Sequence, residues 1–575
     1  MTAGGTAGAQ PPRSAVSKPS TGLPLEIKLV WSASYPKDHA PFALSSPVVA
    51  DVKGGRAVVV GDRSGHVYAV YLTPNSKGQA RGAWEVTAHG PNGVVGIDSS
   101  PSTYDGVVYF GVGWRGQRGV GGYEAIKPNG LRMWLKKSIN PPGDPGDVGV
   151  SAGLSLGILQ SQTTVVGPSQ GQNTYLLQPS NGKTLKGFPW FQADTVFATP
   201  AIADVRDNGQ NQIIEDGNTT AGHAYHTSYI NGGQVRILKE IGNGGDAKQP
   251  NDGMYCQFTT NQGADSSPAV GDILAGGKPG IVFGTSTERA NRSETDQLMA
   301  INGDCRLQWR TTLNGATTPS PAFADVMGND QLQVVEGTQN GWVYALNSET
   351  GKILWSNQMP RGIVLGGVVT ADLGNGRQDV IVPTTSGVYI LDGKTGKPMA
   401  ILDDKTGKPM ATLEGTVGLQ NSPLVTDDPN GTIGITIAGY SGSHGESHAV
   451  MQHYEIVGSH GSVVTENGAW PEFHHDPQLT GNADIPSADN LAMKANSLPK
   501  AKVGVHYSVV LQASGGVGPY TWSRVGGSKP PGMSLLPGGR WVGMPTRPGT
   551  YRIPVQVSDK RGTRVKATIV LKIAA

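Results

Sequence analysis

The chain has 575 residues, with 83 glycines and 40 prolines against only 6% aromatic and 16% charged residues, a balance that excludes a mainly helical architecture and favours many short strands joined by tight turns. The 46 basic and 44 acidic side chains leave a net charge of +2 with no long runs of one sign, which argues against nucleic acid or an anionic membrane as a partner. No continuous apolar stretch approaches the roughly 18 residues that a membrane span needs, so membrane insertion is not expected.

In chain order, residues 1–24 are rich in Pro, Ser, Gly and Thr with little to bury and are expected to form a disordered arm. This opening lacks the apolar core of a secretory leader. The low charge, the high Gly, Thr and Ser content and the scarcity of Cys nevertheless have an extracellular character. An extracellular or cell-surface location is therefore expected, with the leader absent from this chain. "EIKLVWSASY", Glu26 to Tyr35, reads as an outer strand that has no preceding strands of its own.

From Ser45 one pattern recurs: a small residue and Pro, an apolar strand, Asp, a Gly-rich turn and a second apolar strand. It reads "SSPVVADVKGGRAVVVG" from Ser45, "ATPAIADVRDNGQNQIIEDG" from Ala198 and "PSPAFADVMGNDQLQVVEG" from Pro319. Seven copies are plain, anchored at Pro47, Pro101, Pro200, Pro268, Pro321, Val368 and Pro423. The step from Pro101 to Pro200 is nearly twice most of the others, and "SAGLSLGILQSQTTVVG" from Ser151 fills it as an eighth. Four-stranded units at this period cannot bury both faces alone, whereas radial stacking covers them. The expected fold is all-β, an eight-bladed β-propeller over residues 25–480, or seven-bladed if the filler is not a unit. The strand at Glu26 to Tyr35 should complete the final blade, in competition with "GSVVTEN" from Gly461.

Most units end in a third strand, a polar turn and a fourth strand carrying Trp, as in "VYALNSETGKILWSN" from Val343, and Trp84, Trp134 and Trp309 hold similar places. This arrangement resembles the tryptophan-docking repeat of the quinoprotein alcohol dehydrogenase-like propellers, and the Asp-containing pattern resembles FG-GAP and VCBS repeats. After a linker at 481–501, residues 502–575 alternate apolar and polar positions between Gly/Pro turns, as a small sandwich requires. Their "GGVGPYTW", "PPGMSL" and "VGMPTRPGTY" resemble the putative-Ig domain of bacterial surface proteins.

One stretch is doubled. "ILDGKTGKPMA" from Ile390 is followed at once by "ILDDKTGKPMA", the two differing only at Gly393 against Asp404. The first copy is expected to complete a blade and the second to add a hairpin at the rim. Because the copies are almost identical, either turn could serve, and register there should be weakly specified.

Candidate chemistry is sparse. Cys256 and Cys305, the only cysteines, are too few for a closed zinc site and lie in no CxxC pair. The favoured expectation is a disulfide contributing about 4 kcal/mol in the chain-entropy model, with two buried thiols as the alternative. The FG-GAP resemblance implies calcium in the Asp-containing loops, since a hard cation takes six to eight oxygen ligands. Asp204 and Asp325, however, are followed by loops ending in Gln212 and Gln333, and only Asp372, Asn375 and Asp379 keep a plausible set of oxygen ligands. The alternative for each such Asp is to accept N–H bonds within its own turn.

The quinoprotein resemblance implies a quinone over the ring axis, usually with calcium and in several families stacked on a disulfide of adjacent cysteines, which this chain lacks. His223 with His226, His444 with His448, and His474 with His475 are the histidine pairs. The last pair lies in "WPEFHHDPQLTG", expected to pack under the last blade. No catalytic residue is assigned, and no GxSxG or Walker loop occurs. The leading expectation is a noncatalytic secreted or surface-displayed scaffold for protein or glycan binding and assembly. The alternatives are a carbohydrate-active or quinone-dependent enzyme using the axial funnel, and a self-assembling subunit of a surface layer or filament.

Overall fold

In each repeat the anchor residue leads into a short buried strand, and three further strands follow it antiparallel from the axis outward. A computed structural model describes residues 25–575 apart from 36–39, 91–92, 114–119, 141–145, 193–195, 219–231, 245–251, 287–295, 330, 375–376, 403–418, 442–447, 460–468, 485–491, 494–497, 512, 515–519, 527–528 and 559–563. The arm expected at 1–24, the second copy of the doubled stretch beyond Leu402 and the competing strand near Gly461 lie outside the described residues.

Blade 1 consists of Val48–Val52, Gly55–Gly61, His66–Tyr71 and Arg81–Thr87. Blades 2 to 7 repeat this order, starting at Ser102–Tyr104, Ser155–Leu159, Ala201–Ala203, Ala269–Leu274, Ala322–Ala324 and Val369–Ala371. Blade 8 takes Leu424–Asp427, Ile433–Ser441 and His448–Ile456 from the far end of the repeat region and Ile27–Ser34 from its start. Each innermost strand touches the next, and that of blade 8 touches that of blade 1, so the ring closes at eight. The middle strands are buried on both faces, which is why they read as continuous apolar runs rather than alternating ones.

Adjacent blades are locked at the rim. The fourth-strand tryptophans donate their indole N–H to a carbonyl in the third-to-fourth-strand turn of the next blade: Trp84 to Pro128 (3.2 Å), Trp134 to Pro179 (2.7 Å), Trp309 to Ser348 (2.7 Å) and Trp355 to Gly393 (2.8 Å). Each indole covers a turn glycine with positive φ: Gly130 (+83°), Gly182 (+67°), Gly351 (+69°) and Gly396 (+67°). A β-carbon at Gly351 would lie 2.6 Å from Trp309. Only Gly supplies both the left-handed backbone and the room.

Between blades 4 and 5 the same joint is covalent. Cys256 pairs with Ile237 just before a β-bulge, the register that Trp84, Trp134, Trp309 and Trp355 occupy in their own blades. Cys305, with φ +56°, immediately precedes the residue that closes its turn, as Gly130 and Gly351 do. The two are joined as a disulfide with Cα atoms 6.0 Å apart, so Cys–Cys replaces Trp over Gly. In blade 7 the corresponding residue is Ala400. Blade 8 draws its third and fourth strands from opposite ends of the repeat region, so it offers no turn on which a Trp could dock.

The segment after the ring does not pack under the last blade; it runs through the axis. The innermost strands expose one edge toward the centre, and the segment from Trp470 to Asp484 pairs with it. N–H groups of Thr103, Leu156, Ile202 and Val270 donate to the carbonyls of Pro477, Gln478, Thr480 and Gly481, and those of Thr370 and Val425 donate to Trp470 and Pro471, all at 2.6–2.9 Å. Only a chain at the centre can reach six blades. Asp476 holds its turn by accepting the Gln478 and Thr480 N–H groups, while Trp470 packs edge-on against Phe323 of blade 6.

C-terminal to this, Ala501–Lys502, Arg564–Ala574, Gly549–Ser558 and Thr521–Arg524 form one sheet, and Tyr507–Val510, Arg540–Gly543 and Met533–Leu535 another. Trp522, Trp541, Ile553 and Leu571 lie in the core they share, completing an Ig-like sandwich.

Candidate functional site

The axial segment fills one end of the ring and leaves a cavity of about 510 Å³ at the other, where the innermost strands begin and Phe473 of the plug adjoins it. Two tiers of repeat positions build the wall. The residue immediately before each anchor is Ser or Thr in six blades and Gly in the other two, Gly153 and Gly367.

These small residues form a hydrogen-bonded belt. The backbone N–H of one blade's residue donates to the hydroxyl of the next: Ser46 to Ser100 (2.9 Å), Gly153 to Thr199 (2.8 Å), Thr199 to Ser267 (2.9 Å), Ser267 to Ser320 (3.2 Å) and, across the closure, Ser422 to Ser46 (3.1 Å). A larger residue would close the axis, and one without an oxygen would leave the neighbour's buried N–H unpaired.

Three residues before each anchor lies a second tier whose chemistry alternates. Leu44, Phe197 and Leu365 stand in blades 1, 4 and 7; Asp98, Asp265 and Gln420 in blades 2, 5 and 8; Ser151 and Thr318 in blades 3 and 6. Asp98 holds Arg63 through two bonds, 2.7 and 3.1 Å long. Asp265 accepts from Asn218 (2.8 Å). Sequence reasoning used the Ser/Thr-Pro pattern only to count blades. The signal it left unused is the periodic change three residues upstream of a constant small residue.

Behind this wall blade 4 buries charge. Glu215 accepts from Thr174, and burial pushes its carboxyl up to about 7 against the opposing pull of Arg236. Asp216 is held well above the usual carboxylate range by burial and by its acidic neighbours Asp265 and Glu215. In the plug, both ring nitrogens of His474 face carbonyls, Leu479 at 2.7 Å and Pro268 at 3.0 Å. Burial still brings its pKa down to about 4, so at neutral pH it is an uncharged structural group with one N–H to share.

The Asp-containing loops use their carboxylates on backbone. Asp204 accepts from Asn208 and Gly209, and Asp325 from Asn329. In both loops the last residue turns its amide inward: Gln212 and Gln333 each donate from Nε2 to the loop Asn oxygen at 3.3 Å and to a backbone carbonyl. An amide NH₂ therefore lies among the oxygens that a cation would otherwise share. In the third loop Asp372 accepts from Gly374 (2.8 Å), while buried Asp379 accepts from Gly393 (3.1 Å). Asn375 lies outside the described residues, as do His223, His226 and His444. No cluster of three or more His, Cys, Asp or Glu suited to a metal occurs among the described residues.

Residues 260–448 match the family model described as "Outer membrane protein assembly factor BamB", and residues 490–574 match "Putative Ig domain". These matches agree with the quinoprotein-like repeat and the Ig-like module expected from the sequence. No curated protein sequence matches the chain. Among solved structures, BamB from Moraxella catarrhalis is 17% identical, with 74% of this chain and 99% of that one covered at a TM-score of 0.43. Saccharomyces cerevisiae Sqt1 is 9% identical over 76% and 100%, at 0.49. The V. cholerae biofilm matrix protein Bap1 is 12% identical over 78% and 92%, at 0.39. The chain is an eight-bladed β-propeller built on quinoprotein-like repeats and followed by an Ig-like domain.

Proposed function

We propose that this chain is a noncatalytic, secreted or surface-displayed scaffold that binds protein or glycan partners and supports assembly at a bacterial surface. The carrying observation is the open end of the ring. There the exposed aliphatic side chains of Leu44, Val94, Ile139 and Ile363 all lie on loops that lead into innermost strands, around a cavity whose other end is filled by chain. Leu131 and Ile241 expose apolar groups at the other end as well, but at this end such groups surround a concave opening, which is what marks a docking face.

A disulfide in place of a packing joint suits an oxidising compartment, and the family name matched over residues 260–448 is that of an assembly factor. The belt, the plug and the rim joints make a rigid presenting disk.

Photo-crosslinkers placed at Val94, Ile139 and Ile363, and as controls at Leu131 and Ile241 on turns at the other end of the strands, test the reading in the source cells. The expected result is cross-links to one envelope or secreted protein from the open end, with the Ile363 cross-link lost when Val94→Glu/Ile139→Glu is added. Equal capture from both ends would sink it, and cross-links to copies of the chain itself would favour a self-assembling subunit.

A further inference from the structure

Eight hydroxyls line the axial cavity, and among the described residues their protons meet no acceptor. Ser46, Ser100, Thr199, Ser267 and Ser320 each accept a backbone N–H from the neighbouring blade, while Ser151 and Thr318 accept the side-chain amides of Gln170 and Gln339 at 2.7 Å. None of these seven donates to an acceptor among the described residues. Ser422 goes further: fully buried on the same wall, its Oγ neither donates nor accepts, and the Oδ1 of buried Asn421 beside it has no partner either.

A hydroxyl that accepts one bond keeps a proton for another, and a buried polar group left unmet is destabilising. The belt therefore turns O–H donors toward the space it encloses. Asp98, Asp265 and Gln420 add acceptors, and Leu44, Phe197, Leu365 and Phe473 add apolar faces between them. At about 510 Å³ the space falls within the size range of small-molecule sites.

We propose that the axial cavity is a binding site for a neutral sugar. A purely apolar ligand would strand the hydroxyls. An anion would meet Asp98 and Asp265 with the one lining guanidinium, Arg63, already bound to Asp98. A simple cation would use the carboxylates but offer nothing to the O–H donors. A pyranose has donors, acceptors and C–H faces on one rigid frame, which matches a wall alternating carboxylate or amide, hydroxyl and apolar residues. This rests on the reading of a binding scaffold only in using its open end. Cross-linking tests protein docking and sugar titration tests the cavity, so either can fail alone.

The test titrates the full chain by calorimetry and ligand-observed NMR. The probes are methyl pyranosides of glucose, galactose, mannose and N-acetylglucosamine and their disaccharides, at up to about 10 mM. Saturable binding of at least one is expected. Ser422→Ala should weaken it about five- to tenfold without lowering Tm, because the protein itself makes no bond to that hydroxyl. Leu365→Arg, at the mouth, should abolish it. The proposal is overturned by no saturable binding across the panel, by binding that survives Leu365→Arg, by a Ser422→Ala variant of full affinity, or by preference for inorganic phosphate, glucuronate or a lysine-rich peptide over every neutral sugar.

Discussion

Gly393 lies so close beneath the backbone carbonyl of Gln378 that a β-carbon on it would sit well inside hard-sphere contact with that oxygen. Its own N–H donates to Asp379 and its carbonyl accepts the indole of Trp355. This is the one position at which the two copies of the doubled stretch differ, and the second copy carries Asp404 there. The expectation of a weakly specified register is therefore replaced by a definite choice: the turn of the first copy docks, and Pro398 begins an outer edge strand, where a residue without an N–H is tolerated.

Two deletions test that choice. Removing residues 401–411 or residues 390–400 leaves the same chain except for Gly or Asp after "ILD". The first should fold with nearly the parental Tm. The second should be less stable by more than about 2 kcal/mol, since overpacking against fixed backbone costs about 1–3 kcal/mol and a carboxylate adds desolvation. Equal chemical denaturation midpoints for the two would show that Gly393 does not set the register.

The joint between blades 4 and 5 is open to substitution. Cys256→Ser/Cys305→Ser should lose about 4 kcal/mol, the chain-entropy value for a loop of this length. Cys256→Trp/Cys305→Gly should recover much of it by restoring the joint used elsewhere in the ring. Thermal melts with and without reductant report the outcome. A parental Tm indifferent to reductant would deny the disulfide a stabilising role.

Glu215 should make stability depend on pH. Its folded pKa of about 7 lies above the ordinary glutamate value because burial disfavours the charge. Between about pH 4.5 and 7 the folded chain keeps a proton that the unfolded chain has released, so stability falls as pH rises through that window, by about 3 kcal/mol. Below it the contribution is fully present. Relative to Glu215→Gln, which cannot titrate, the parental protein should be progressively destabilised over that range; parallel stability curves for the two proteins would refute this.

Calcium should leave the fold indifferent. Asp204 and Asp325 accept backbone N–H groups while Gln212 and Gln333 set an amide among the loop oxygens, and Asp379 accepts the Gly393 N–H. Calcium added to chelator-stripped protein should not move Tm. A rise of more than about 2 °C, lost in Asp372→Asn, would instead assign a site to Asp372, Asn375 and Asp379.

Much of the architecture was legible because it repeats. The small-residue and Pro pattern, the strand alternation and the Trp-bearing outer strands recur often enough to count eight units, including the one hidden at Ser151. The spare strand at Glu26 to Tyr35 foretold closure, since a blade with three strands leaves an edge unpaired. Local features of this kind depend on neighbours in sequence.

What the tertiary structure alone decided depends on residues brought together across blades. That Cys256 and Cys305 stand where Trp and Gly stand elsewhere follows from bulge register. That residues 470–484 thread the axis follows from six inward-facing strand edges that share one centre. The cavity is the clearest case. Its hydroxyls come from successive repeats, each an ordinary Ser or Thr ahead of an innermost strand, and become a wall of donors only because ring closure points every copy at the same axis.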